Sequence, residues 1–237
     1  MAVDIFVLSQ REQNAHGRLT AYHSYAVRGK WYPYLNFMPA HSGGMAVNMS
    51  TYGLILKRRT IRKFQQKRLE TVLLEKFVNA ARMAPSGSNL QPLKYVIVND
   101  AGKVRRVFEQ VKWAGYIAPL GNPAKNERPV AFIIILADTE IRKTGYELDV
   151  GAAAQSIFLA AAEEGIGTCW MGAIDRDGIR KILGIPERYI IDTAVALGYP
   201  AESPVSEAEK GSIRYYKDEN GTLHVPKRSL EEVMLKL

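Results

Sequence analysis

Four basic side chains, Arg58, Arg59, Arg62 and Lys63, crowd the run Arg58-Arg59-Thr60-Ile61-Arg62-Lys63-Phe64. Guanidinium groups this close repel one another unless water or an anion lies among them, and their planar forks match the oxygens of a phosphate. An isolated run of this kind is a solvated helix end. This one is followed, one helical stretch later, by Pro85-Ser86-Gly87-Ser88-Asn89-Leu90-Gln91-Pro92. Two prolines fix the backbone there, and Gly87 permits an unusual turn. Ser86, Ser88, Asn89 and Gln91 can face the carbonyl and imide groups of a flat polar ring. Alone, that loop reads equally well as a capped connection between helix and strand. With the arginines before it, the pair points to a phosphorylated, ring-bearing cofactor.

The elements that must position these residues follow from periodicity. Thr51–Lys57 reads as a short helix delivering the basic run, and Leu69–Ala84 as an amphipathic helix stopped by Pro85. Tyr95–Val98 reads as a buried strand and Lys103–Val111 as a helix. Val130–Ala137 is a β-branched apolar run buried on both faces, hence a central strand. Glu147–Glu164 is a helix so rich in Ala and Gly that another backbone must approach it closely, within the subunit or across a dimer. Gly165-Ile166-Gly167 ends it. A short strand over Thr168–Met171, a helix over Arg176–Leu183 and a strand over Ile190–Leu197 complete an α/β or α+β alternation. From Lys210 onward the chain is polar, with a weakly amphipathic end at Leu230–Leu237, and suits an arm lying on a neighbour.

With 237 residues, 47% of them hydrophobic and 24% charged, the chain can bury one soluble domain. Residues 1–48 mix Tyr, His, Gly and Pro without clear periodicity. They are expected to be an irregular extension, disordered or the product of an upstream start with Met45 or Met49 as initiator, ahead of a domain over 49–237. A net charge of +8 raises nucleic acid as a partner, but the charge is scattered outside the Arg58 cluster and no aromatic-interleaved basic stripe accompanies it. The single cysteine, Cys169, excludes an intrachain disulfide framework or a cysteine-rich metal site and fits a reducing compartment. No apolar run has membrane-spanning length and the start has no basic leader, so a cytoplasmic, membrane-free protein is expected. Dinucleotide fingerprints, phosphate loops and paired zinc histidines are missing. His16, His23, His41 and His224 read as ordinary surface residues, and neither a metal site nor a catalytic triad is expected.

The ordered set Arg58–Phe64, Pro85–Pro92, the helix from Asp149 running into Thr168-Cys169-Trp170-Met171-Gly172, and the late Val195–Pro200 resembles the nitroreductase family of flavin-dependent oxidoreductases over roughly 50–200. The resemblance implies an α+β, three-layer fold with a mostly antiparallel central sheet flanked by helices, in a domain-intertwined homodimer. It implies FMN, with NADH or NADPH as donor, in a ping-pong cycle that ends on a nitroaromatic, quinone or similar small electrophilic acceptor. Arg58, Arg59 and Arg62 would reach the phosphate and ribityl region, with Thr60 adding a contact. Ser86, Ser88 and Asn89 would meet the isoalloxazine together with Gln91, in a loop shaped by Pro85 and generally supplied by the other subunit. The backbone of Met171 and Gly172 would approach the flavin N5, and Lys227 with Arg228 would close over the phosphate. No protein nucleophile is implied.

Trp113–Arg128 is the expected lid. A dehalogenating or fragmenting member of the same family is the alternative within flavin chemistry, and a basic nucleic-acid-binding module the alternative outside it.

Overall fold

The structure, a computed structural model, describes residues 6–13, 19–27, 30–33, 50–119 and 121–235. The chain divides into two units, Met1–Asn48 and Met49–Leu237.

In the first unit, strands β1 (Phe6–Gln13), β2 (Leu19–Val27) and β3 (Lys30–Pro33) form an antiparallel meander in the order β1-β2-β3. These three strands are the described part of the segment expected to be an irregular extension. Leu19–Val27 is rich in Tyr, Thr and Val, residues that favour strands, although its apolar positions do not alternate cleanly enough to announce one. The initiator candidates Met45 and Met49, and His16 and His41, lie outside the described residues.

The second unit is built on a four-stranded antiparallel sheet in the order β4 (Leu93–Val98), β5 (Ala131–Asp138), β7 (Tyr189–Gly198), β6 (Gly167–Met171). Every residue of β5 is buried, as its unbroken apolar run demands. Its side chains divide between two cores. Ile133 and Ile135 pack with helices α2 (Thr71–Arg82) and α4 (Glu147–Glu163), whereas Phe132, Ile134 and Leu136 pack with α3 (Ala101–Phe108) and α5 (Arg176–Leu183). Helices thus cover both faces in three layers. At about 1.5–3 kcal/mol for each large apolar side chain buried, β5 and its neighbours form the principal store of stability.

Local chemistry sets the helix ends. Ser50 caps α1 (Thr51–Lys57) by accepting from Gly53 N at 3.1 Å, and Asp100 and Asp175 cap α3 and α5 in the same way. Helix α4 terminates where Gly165 takes φ +69 and Ile166 N returns to the Ala161 carbonyl at 2.8 Å. Its buried alanines, Ala153, Ala154 and Ala161, let the neighbouring layers close on it, but Gly151 faces open space and Leu148 is 85% exposed.

The polar C-terminal stretch is more structured than its composition implied. Strands β8 (Val205–Ala208), β9 (Tyr216–Lys217) and β10 (Leu223–Lys227) form a mixed sheet in the order β8-β10-β9, ahead of a short helix α6 (Leu230–Val233). Leu223, only 2% exposed, provides its buried anchor.

Candidate functional site

The basic run leaves α1 in extended form and lies along β6. Thr60 pairs with Thr168, and Ile61 N donates to the Thr168 carbonyl at 2.9 Å. Phe64 N donates to the Glu127 carbonyl, and Gln65 N to that of Tyr199. Ile61 and Phe64 are buried and clamp the strip down. Gly167 and Gly198 lie directly against them, so close that an added Cβ would come within 2.8 Å of Ile61 and 2.9 Å of Phe64. With the apolar positions turned inward, the arginines are left at the surface of the strip.

The three arginines are not equivalent. Arg58 is half-buried, with its guanidinium 5.4 Å from the centre of the Phe158 ring on α4, and its Nε is buried with no acceptor. Burial, followed by the charge of Arg59, pulls its pKa below the ordinary arginine value. Arg59 is mostly used up within the chain: it donates to the carbonyls of Arg58 at 2.5 Å and Leu56 at 2.6 Å, and to Ser206 Oγ on β8, leaving only a buried Nε. Arg62 lies 5.0 Å from the ring of Tyr215, which packs tilted at 44° against Tyr116 of the expected lid, centroids 5.0 Å apart. The strip itself is fixed by Glu202, whose Oε1 accepts from Arg62 N at 2.5 Å and Lys63 N at 3.1 Å.

Beside the strip, Met171 is buried and its carbonyl accepts from Thr193 Oγ1 at 2.7 Å, while Gly172 is exposed before open space. Trp170 is 48% exposed, its ring 5.8 Å from Phe158. Cys169 belongs to the core, and burial pushes its thiol up to about 11, so it stays protonated at neutral pH. Lys227 ends β10, whose pairing with β8 places it on the small sheet that Arg59 grips through Ser206; Arg228 follows, exposed.

The Pro85–Pro92 loop sits elsewhere on α4. Asp149, a carboxylate only 5% exposed, accepts from Ser86 Oγ at 2.7 Å and Gly87 N at 3.0 Å, with Arg142 Nη1 at 4.0 Å. Ser86 Oγ also accepts from Gln91 N at 3.0 Å, so its hydroxyl is engaged in shaping the loop. Gly87 lets the Arg142 guanidinium pass closely, 2.5 Å from where a Cβ would be, a contact the flexible arginine could yield. The unusual backbone falls instead on Ser88, Asn89 and Gln91, at φ 53, 54 and 52. Left-handed conformations at non-glycine residues cost on the order of 1 kcal/mol or more each and cluster at ligand sites. All three are exposed, and the Gln91 amide donates to Asn89 Oδ1 at 3.1 Å. Behind the loop, Tyr95 has its phenol pushed up to about 12, by burial and then by the Asp149 charge.

Along α4, Asp149 and Phe158 are nine residues apart, about 13 Å. Within one chain, the loop and the arginine strip are thus anchored at different places on the same helix. Sequence reasoning missed Asp149, Phe158, Glu202 and Tyr215. Only Asp149 had a readable signal, as an acid that interrupts the apolar face of a helix with Glu147 two residues before it.

Buried guanidinium nitrogens without acceptors, on a strip beside an exposed glycine at a strand end, fit a phosphate-bearing cofactor that accepts hydrogen bonds. The comparisons agree. A 34% identical relative from Methanothermobacter thermautotrophicus, provisionally named NADH dehydrogenase/NAD(P)H nitroreductase, aligns over 170 residues, 69% of this chain and 84% of its own. An iodotyrosine deiodinase from Thermotoga neapolitana is 26% identical over 69% of this chain and 96% of its own. The solved structure of an FMN-dependent nitroreductase from Clostridium difficile superposes with a TM-score of 0.54 at 26% identity, covering 71% of this chain and 93% of that one. The family model described as the Nitroreductase family matches residues 55–199, and the chain belongs to that family.

Proposed function

We propose that this nitroreductase-family enzyme binds FMN along the Arg58–Arg62 strip and passes two electrons from NADH or NADPH to a small electrophilic acceptor such as a nitroaromatic or quinone. The observation that carries the reading is Arg58, held against Phe158 with a buried Nε that has no acceptor. FMN, when bound, supplies the hydride-accepting and hydride-donating centre.

The chain's own residues do the rest. Arg58 and Arg62 would hold the anionic phosphate and the polar edge of the ring, favouring the negative charge that accompanies reduction. Arg59, already engaged with Leu56 and Ser206, would brace the strip, and Thr60 would hold its register on β6. Gly172 would leave the end of β6 open for a backbone contact at N5. Lys227 and Arg228 would lie near the phosphate from the small sheet. Ser88, Asn89 and Gln91 would present the strained loop to the ring, Ser86 and Pro85 shaping it from behind.

A homodimer is part of the proposal. The loop and strip are separated on α4, and uncovered apolar side chains stand on α1 (Tyr52, Ile55, Leu56) and at Leu148 of α4. Such faces favour a second copy, whose loop would complete the site.

Initial rates measured with NADH against a nitroaromatic, and again with NADPH, test the cycle. Parallel double-reciprocal lines are expected; intersecting lines would mean that donor and acceptor must be bound together. The deiodinase relative supports one second reading, reductive dehalogenation, for which iodide release from 3-iodotyrosine is the readout.

A further inference from the structure

Past the strip, where Gln66 donates to the Arg128 carbonyl at 2.9 Å, the chain lines a cavity of about 530 Å³. Four cations, Arg68, Arg105, Lys125 and Arg128, face a single carboxylate, Asp100, in its wall. Asp100 already uses one oxygen to cap α3, accepting from Lys103 N at 2.9 Å. The nearest acid in sequence to Arg128, Glu127, is bound to Lys63 at 3.0 Å. Among the described residues, none of the four cations has an ion-pair partner.

Arg128 is what separates this cavity from an ordinary solvated basic face. Its guanidinium lies 4.2 Å from the centre of the Phe108 ring, and its Nε is buried with no acceptor. A stacked guanidinium is oriented before any ligand arrives, which lowers the cost of forming a bond to an anion. A volume of this size falls within the range of about 300–1,000 Å³ typical of small-molecule sites. None of Arg58, Arg59 and Arg62 lines it.

We propose that this cavity is a second anion site, separate from the flavin strip, that takes a small phosphorylated molecule. Arg128 would supply the fixed fork, and Arg68, Arg105 and Lys125 the surrounding charge. The inference does not depend on the flavin reading. Its ligand chemistry could come from a nucleotide or from an inorganic phosphate, and the two are separable by experiment.

The test is calorimetric titration of the full chain with inorganic pyrophosphate and with ADP. It is run on protein incubated with excess FMN and repeated on Arg58→Ala/Arg62→Ala protein, so that the strip is either filled or disabled. One equivalent per chain is expected in both backgrounds. Arg68→Ala/Arg105→Ala, at exposed positions, should weaken binding at least tenfold with an unchanged unfolding temperature. Tighter binding of ADP than of pyrophosphate would identify a nucleotide; equal binding would identify the diphosphate alone. The proposal fails if neither probe saturates, if Arg68→Ala/Arg105→Ala leaves the affinity unchanged, if binding disappears with Arg58 and Arg62, or if a single-stranded oligonucleotide binds more tightly than both probes.

Discussion

Helix α4 carries two polar sites in opposite conditions. Toward its N-terminus, Asp149 is buried and its donors are in place: Ser86 Oγ, Gly87 N and the more distant Arg142. Toward its C-terminus, Arg58 lies against Phe158 with a buried nitrogen that nothing accepts. The first site is complete within one chain and holds its loop; the second is incomplete within one chain, which is why the proposed function places the cofactor there. Satisfaction of hydrogen bonds, more than residue type or burial, separates the two roles.

Substitution can break this contrast from either side. The largest effect is expected at the Arg58 end. Arg58→Ala with Arg62→Ala removes two charge-assisted contacts worth about 1.5–3 kcal/mol each, so FMN affinity should fall at least about a hundredfold. The same variant should unfold at nearly the parent temperature, because Arg58 has no internal hydrogen bond at its buried Nε to lose. Fluorescence titration with FMN and thermal melts read the two halves of this expectation.

At the Asp149 end the pattern should invert. Asp149→Ala leaves two donors without their acceptor, at a cost of about 3 kcal/mol to folding measured by denaturant unfolding. Asp149→Asn, which keeps one acceptor, should cost less. A smaller loss, about 2 kcal/mol, is expected for Gly167→Ala, which drives a methyl group into Ile61 and lifts the strip from β6. Its FMN affinity should fall with its stability, unlike that of the arginine variant.

The smallest expected effect is on pH dependence. His224 lies between Glu207 at 2.8 Å and Asp218 at 3.2 Å, stacked on Tyr216. These bonds raise the His224 pKa, with Glu207 the larger cause, and the Glu207 pKa is lowered chiefly by the same bond. A histidine raised above its unfolded value of about 6.5 contributes fully below that pH, and the contribution is lost as pH rises through the folded pKa. Glu207 contributes above its unfolded value of about 4.3, and that contribution is lost as pH falls through its lowered folded pKa. The β8-β10-β9 sheet should therefore be firmest between these limits. Amide exchange at Leu223, His224, Val225 and Lys227, corrected for intrinsic rates, should accelerate as pH rises through the raised His224 pKa in the parent and not in His224→Gln.

How much was legible in the sequence depended on how local the signal was. Helices α1 and α5 fall on their expected bounds, because each is a short periodic run whose ends the structure closes with Ser50, Asp175 and Gly184. Strand β5 was plain from its continuous apolar run. The C-terminal sheet was not: His224, read as a surface residue, is held by Glu207 and Asp218, and a two-residue strand such as β9 has no periodicity to detect. In the candidate site, the arginine run and the Pro85–Pro92 loop stood out by composition. Their supports, Phe158, Asp149, Glu202 and Tyr215, come from distant parts of the chain and acquire a role only when the sheet brings them together. The loop also shifts its strain from Gly87 to Ser88, Asn89 and Gln91, a departure that residue preference alone does not foresee.

The most direct measurement is the absorbance spectrum of the purified protein after incubation with FMN and removal of the excess, followed by anaerobic addition of NADH and then NADPH. The expected result is a retained flavin spectrum that bleaches with at least one nucleotide, and no retained flavin in the Arg58→Ala/Arg62→Ala protein. A colourless parent protein, or a double variant that keeps full flavin occupancy, would contradict the assignment of the Arg58–Arg62 strip as the cofactor site.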